Sequence, residues 1–248
     1  MQNYKMTIAY DGHKYMGFSK KKNNPSKSIE GKLETILLKL YNQEIEVIGA
    51  INTAAGVHAR EQIVNFKAPN GSFKKNEIHE YFEKYLPDDI IVINVEKVEE
   101  RFQSKYLVKS ATYEYRLWKN NAQNRPLFER NYVNLMVQNL NVGLMKKAEK
   151  YIEGEHDFLA FTTNRKVKNP VKKIFLLDVK ETNNEIIITI KANSYLLNME
   201  RLIVGTLIQV GLKQLPLNSI ENAFISGELS DVGHKAMAGA LCLVKVEY

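Results

Sequence analysis

Apolar residues in this chain fall into short alternating runs and longer runs with a helical repeat, and the two kinds follow one another without strict alternation. That order constrains the fold most. Regular β-α alternation would build a doubly wound parallel sheet, whereas strand runs mixed irregularly with helices indicate an α+β architecture. Residues 5–10 alternate as a strand and stop at the turn signal Asp11-Gly12. Ser28 stands at an N-cap position ahead of Leu33, Ile36, Leu37 and Leu40, the stripe of an amphipathic helix. Further strands are expected at 44–49, 62–67, 90–98, 106–118, 171–180, 185–192 and 240–247. Further helices are expected at 75–85 (ended by Pro87), 142–153 (closed by Gly154), 198–212 and 217–226. The sequence has no short-period repeat; the expected division is into two halves of similar element content, 1–105 and 106–248.

With 248 residues, 44% of them hydrophobic and 25% charged, the chain can bury a sizeable core, which excludes a disordered protein. Lys and Arg number 35 against 28 Asp and Glu, and the net charge of +7 favours a polyanionic partner such as nucleic acid. Two basic stretches stand out: Lys20, Lys21, Lys22 and Lys27 around Asn23-Asn24-Pro25, and 165–173. The single cysteine, Cys242, sits in an apolar run and reads as a small buried hydrophobe, so no disulfide can form within the chain. No apolar signal core opens the sequence and no run is long enough to cross a bilayer, so a cytoplasmic protein is expected, with no membrane partner. Phosphate-loop, paired-cysteine, HExxH and GxSxG motifs are absent, and His58 and His156 read as structural residues rather than metal ligands.

Six segments in order carry a resemblance. Tyr10 to Ser19 (YDGHKYMGFS) resembles YDGxxYxGWQ; Ala50 to Ala59 (AINTAAGVHA) resembles AGRTDAGVHA; Lys109 to Tyr115 (KSATYEY) resembles KSRTYRY; and Gly154 to Phe158 (GEHDF) resembles GxHDF. Asn198 to Leu207 (NMERLIVGTL) is similar to NMVRxIVGTL, and Leu241 to Tyr248 is similar to the same family's terminal strand. Together they resemble the tRNA pseudouridine synthase A family over nearly the whole chain. The resemblance implies a pseudouridine-synthase fold: mixed, largely antiparallel sheets flanked by helices, with two similar halves around a basic cleft. The half at 1–105 would carry the catalytic loop, and the half at 106–248 would complete the cleft. It further implies conversion of uridine to pseudouridine in the anticodon arm of tRNA, by two-fold symmetric dimers without a cofactor.

That chemistry breaks the bond from C1′ to N1 and rejoins the base at C5, which requires a carboxylate acting as nucleophile or base. In the family an aspartate of the AGRTDAGVHA loop does this, a tyrosine covers the flipped base, and an arginine of the later helix keeps the carboxylate ionised. Carried over, Tyr113 and Arg201 are present, but the aspartate's position holds Ala54, and no Asp or Glu lies between Glu46 and Glu61. A methyl group cannot take a proton or form the covalent bond, and loss of an essential nucleophile costs on the order of a million-fold in rate. Ile51, Asn52, Phe18, Ser19, Ala111 and Glu200 also depart from the pattern, which is more than one engineered substitution would produce. The expectation is therefore a tRNA-binding member without catalysis, with Asn52, Lys20, Lys21, Lys22, Lys105, Lys109, Arg116 and Lys172 as RNA-binding candidates beside Lys166, Lys168 and Lys173. Two alternatives stay open: an active isomerase that uses Asp11 or Glu200, and a structural partner of an active paralogue. Glu200 itself reads either as a replacement partner for Arg201, as the partner of another group, or as a surface residue.

Overall fold

The computed structural model describes residues 1–120 and 125–248; within the 119–131 loop of the sequence, 121–124 lie outside the described residues. In chain order the elements are β1 (Gln2–Tyr10), α1 (Ile29–Tyr41), β2 (Val47–Gly49), β3 (His58–Ala68), α2 (Lys75–Tyr85), β4 (Ile90–Val98) and β5 (Ser110–Trp118). There follow β6 (Asn134–Leu135), α3 (Val142–Ile152), β7 (Gly154–Asp157), β8 (Val171–Glu181), β9 (Glu185–Ala192), α4 (Met199–Gly211), α5 (Asn218–Ser226) and β10 (Leu241–Glu247). The architecture is α+β, with largely antiparallel strand pairing. The chain forms two compact units, Met1–Lys109 with Cys242–Tyr248, and Ser110–Leu241.

In the first unit the strands lie in the order β4-β1-β3-β10, with β2 also paired to β3. Antiparallel pairing of β1 with β3 sets Gln2 opposite Ala68 and Met6 opposite Val64. Tyr4, Met6, Ile8 and Tyr10 point to one buried face, the two-residue period of a half-covered strand. α1 starts where its N-cap lies: Ser28 Oγ accepts from the Gly31 amide at 3.1 Å and donates to the Pro25 carbonyl at 2.7 Å. The helix buries Ile29, Leu33, Ile36 and Leu37 and ends at Asn42 in the left-handed region, φ 53°. β10 joins this unit by parallel pairing to β3, with Cys242 opposite His58 and Leu243 opposite Ala59.

In the second unit the order is β5-β9-β8-β7, all antiparallel, and β6 runs parallel beside the end of β5. α4 is its central helix, burying Met199, Leu202, Ile203, Val204, Leu207 and Val210. Its first residue follows Asn198, which takes a left-handed conformation (φ 65°) while its side-chain amide donates to Thr163 Oγ1 at 2.8 Å.

Several boundaries differ from the sequence expectation. β2 covers only 47–49, because its pairing with β3 is confined to Val64–Phe66; β3 starts at His58 rather than 62; and β5 starts at Ser110, so 106–109 is not strand. β6 and β7 were not expected. Both are very short, and the polar Gly154–Asp157 has no apolar alternation; β7 forms by pairing with β8. Cys242 is half-buried, not fully enclosed.

Candidate functional site

The segments 11–19 and 50–58 clasp each other in the first unit. Gly12 packs so tightly on the opposite loop that a Cβ there would stand 1.9 Å from the Val57 carbonyl oxygen. Gly17 adopts φ +104°, a conformation that favours glycine, and a Cβ there would stand 2.8 Å from the Thr53 carbonyl oxygen. Phe18 donates its amide to Thr53 O at 3.0 Å, Gly56 donates to Tyr15 O at 3.3 Å, and the Tyr10 hydroxyl meets Thr53 Oγ1 at 2.7 Å. Burial pushes the Tyr10 hydroxyl well above its ordinary range, so it remains a neutral hydrogen-bonding group. His58 Nδ1 lies 3.0 Å from both the Gly12 amide and Asp11 Oδ1. The neutral ring accepts from the amide and the protonated ring donates to the carboxylate, a structural role in either state.

One anchor escaped sequence reasoning. The fully buried Gln62 accepts from the Ile51 amide at 3.2 Å through Oε1 and donates to the Ile51 carbonyl through Nε2, acting as a surrogate strand neighbour. Its only sequence signal was a polar residue on an otherwise apolar strand face. Ala54 thus rides on a loop whose backbone is fixed on both sides, closed by the Val57 amide on Ala54 O at 3.1 Å. Its side chain is a half-buried methyl. Asn52 is exposed, and its Oδ1 accepts from the Ser19 amide at 3.3 Å.

In the second unit, Tyr113 on β5 is 1% exposed. Its ring meets Tyr195 edge-on at 5.1 Å, and Tyr113 is among the groups that favour the charged form of Glu200 at the start of α4. Tyr113 and Arg201 are both electrostatic neighbours of Glu200. Glu200 is half-buried by area but densely surrounded, and burial raises its carboxyl to about 7, against smaller lowering contributions from its own backbone amide, Tyr113 and Arg201. Arg201 turns elsewhere: Nε donates to the Ala236 carbonyl at 2.6 Å, and the Ala236 amide returns a bond to Arg201 O at 3.0 Å. Partial burial lowers the guanidinium, opposed by Tyr115 and Glu200. Tyr115 is buried with Asn134 and the Met237 backbone close by, but neither closes a well-formed bond to its hydroxyl, which burial pushes up to about 12.

The basic candidates are unequal. Lys20 pairs with Glu34 and lines a hollow with Glu30, Glu44 and Glu46, a surrounding of the wrong sign for phosphate. Arg116 is held by both carboxylate oxygens of Glu185 at 2.6 and 2.7 Å. Lys172 gives its ammonium to the Asn169 carbonyl at 2.9 Å, and burial lowers it. Lys21, Lys22, Lys105 and Lys109 are exposed, with Lys105 over the ring of its neighbour Tyr106. Lys166, Lys168 and Lys173 are exposed as well. Among the described residues no group of three or more His, Cys, Asp or Glu could hold a metal ion.

The family model for tRNA pseudouridine synthase matches residues 6–106 and 148–248. The chain is 39% identical over 249 aligned residues to tRNA pseudouridine synthase A 2 of Bacillus cereus and 35% identical to tRNA pseudouridine synthase A of Clostridium acetobutylicum, each match covering both chains completely. This chain belongs to the tRNA pseudouridine synthase family. Tyr113 falls between the two matched segments, so its place in the family pattern rests on the resemblance of the KSATYEY motif. A crystal structure of a Cbf5-Nop10-Gar1 complex aligns with 97% of this chain and 48% of its own, at 9% identity and a TM-score of 0.37, too distant to bear on the site.

Proposed function

We propose that this protein is a tRNA pseudouridine synthase A-like RNA-binding protein that engages the anticodon arm of tRNA and forms no pseudouridine. One observation carries the reading: the loop of Ala54 keeps all the backbone anchors described above, yet presents a methyl where the reaction needs a carboxylate. A preserved scaffold without its acid can hold a nucleoside but cannot break the glycosidic bond. The exposed Lys21, Lys22, Lys105, Lys109, Lys166 and Lys168 supply phosphate contacts. Lys20 and Arg116 contribute less, because carboxylates of the same unit already neutralise them. The protein works in the cytoplasm as a homodimer; among the described residues, no helix is long and apolar enough to cross a membrane. The test is a titration with bulk tRNA at two salt concentrations, followed by nucleoside digestion. Salt-sensitive binding with pseudouridine at the no-protein level supports the reading, and pseudouridine above that level refutes it.

Glu200 favours one second reading, an active isomerase with a substitute acid, because a densely surrounded carboxyl raised to about 7 is poised to exchange a proton near neutrality. That reading requires activity in the wild type that disappears in Glu200→Gln. Asp11 is the weaker substitute, since its carboxylate also accepts from the His13 amide at 2.9 Å and lies against His58.

A further inference from the structure

The turn that follows β4 is tied to its own unit by a chain of buried amides. Asn3 Nδ2, on β1, donates to the Glu99 and Phe102 carbonyls at 3.0 and 2.8 Å, and Asn65 Nδ2, on β3, donates to Asn3 Oδ1 at 3.1 Å. Ser104 is fully buried; its amide donates to Asn65 Oδ1 at 2.9 Å and its carbonyl accepts the Tyr248 hydroxyl at 3.0 Å. At the far end the Lys109 amide donates to the Glu247 carbonyl at 2.8 Å. Between these fixed points Lys105, Tyr106 and Leu107 all face solvent. Tyr106 is 74% exposed, more than any other tyrosine among the described residues, and Lys105 Nζ stands 5.7 Å from the centre of its ring. A ring this open contributes almost no apolar burial to folding, while a turn held at both ends spares a ligand the cost of ordering it.

We propose that Tyr106 is a stacking platform for an unpaired base of the bound RNA, with Lys105 and Lys109 meeting the phosphates that flank it. This deepens the tRNA-binding reading and rests on it. Every base has a flat π-face, so an exposed aromatic ring can hold one without reading its edge, and a neighbouring cation meets the charge that the base brings with it. Lys20 and Arg116 are occupied by carboxylates, whereas Lys105 and Lys109 make no ion pair among the described residues. An apolar face beside unneutralised positive charge is complementary to a single nucleotide, which offers a ring and an anion together. Within an RNA duplex the bases stack on one another, so the platform favours single-stranded segments.

The experiment is an anisotropy titration of the full chain with labelled bulk tRNA at two salt concentrations, and with a long blunt-ended RNA duplex, comparing wild type with Tyr106→Ala, Tyr106→Phe and Lys105→Ala. Tyr106→Ala is expected to bind tRNA roughly 5- to 100-fold more weakly with the salt dependence of wild type, and Tyr106→Phe to stay within about twofold. Lys105→Ala should lower the slope of log affinity against log salt by about one. Affinity for the duplex should be the same in wild type and Tyr106→Ala. A Tyr106→Ala protein that binds tRNA as wild type does overturns the proposal and leaves the tRNA-binding reading standing, as does an equal loss on the duplex. Tyr106→Phe as weak as Tyr106→Ala also overturns it, because the hydroxyl rather than the ring face would then make the contact. An unchanged slope in Lys105→Ala overturns the phosphate contact. Thermal melts of the Tyr106 variants should match wild type; a lower melting temperature for Tyr106→Ala would make the ring a packing group and sink the idea. A wild type that binds neither RNA overturns both the platform and the reading on which it rests.

Discussion

The two units hold their motif residues in different ways. In the first, the loop of Ala54 is held by its backbone anchors, with Gly12 on Val57, Tyr10 on Thr53 and Gln62 around Ile51, and presents a methyl side chain. In the second, the motif side chains meet other groups of the same unit: Tyr113 lies against Tyr195, and Arg201 bonds Ala236. Residues of one motif therefore serve separable purposes. Those that set backbone geometry are held by folding, since a misplaced loop exposes core and strands polar groups, whereas a carboxylate on the loop's surface can be lost at almost no cost to stability.

Substitutions can break or sharpen this contrast. Gly12→Ala should have the largest effect, because its methyl would overlap the Val57 carbonyl in a loop with little room to yield; a loss of about 2–3 kcal/mol is expected in denaturant unfolding. A near-neutral result would mean the clasp is looser than its geometry. Glu200→Gln tests the other unit. The folded protein holds this proton up to about 7, whereas the unfolded chain releases it near 4.5, so wild-type stability falls as pH rises between those values and the deficit is complete above 7. The variant should be more stable by about 1–3 kcal/mol at pH 8 and no different below about pH 4.5, as thermal melts across that range would show. Tyr10→Phe removes one buried hydrogen bond and should lose about 1–2 kcal/mol by the same unfolding measurement. Ala54→Gly should shift unfolding by less than about 0.5 kcal/mol and leave tRNA affinity unchanged. Ala54→Asp alone should yield no pseudouridine in digested tRNA, because Asn52, Ala111 and Glu200 would remain. A brisk synthase from that single change would show that those departures from the family pattern are chemically silent.

Local pattern made much of this legible. The Ser28 cap, the α1 stripe and the alternation of β1 and β9 are short-range features, and the structure places them where periodicity does. β7 was invisible because its polar residues become a strand through β8, and the pairing of β10 with β3 joins residues far apart in the sequence. At the site, the alanine at position 54 was readable from one letter. Long-range contacts were not: side-chain pairing across long separations put Arg116 on Glu185 and the Tyr195 hydroxyl on the Ala111 carbonyl, and spacing along the chain carries no record of either.

The place of β10 bears on the order in which this protein matures on the ribosome. Residues 1–109 are synthesised first, but β3 acquires its parallel neighbour from 242–248, after the entire second unit has been made. The unit that begins first is thus finished last. Until then β3 offers an uncovered run of peptide groups at His58 and Ala59, directly after the loop of Ala54, and a ribosome that stalls before Leu241 releases a chain whose later unit has all its strands while its earlier one lacks an edge.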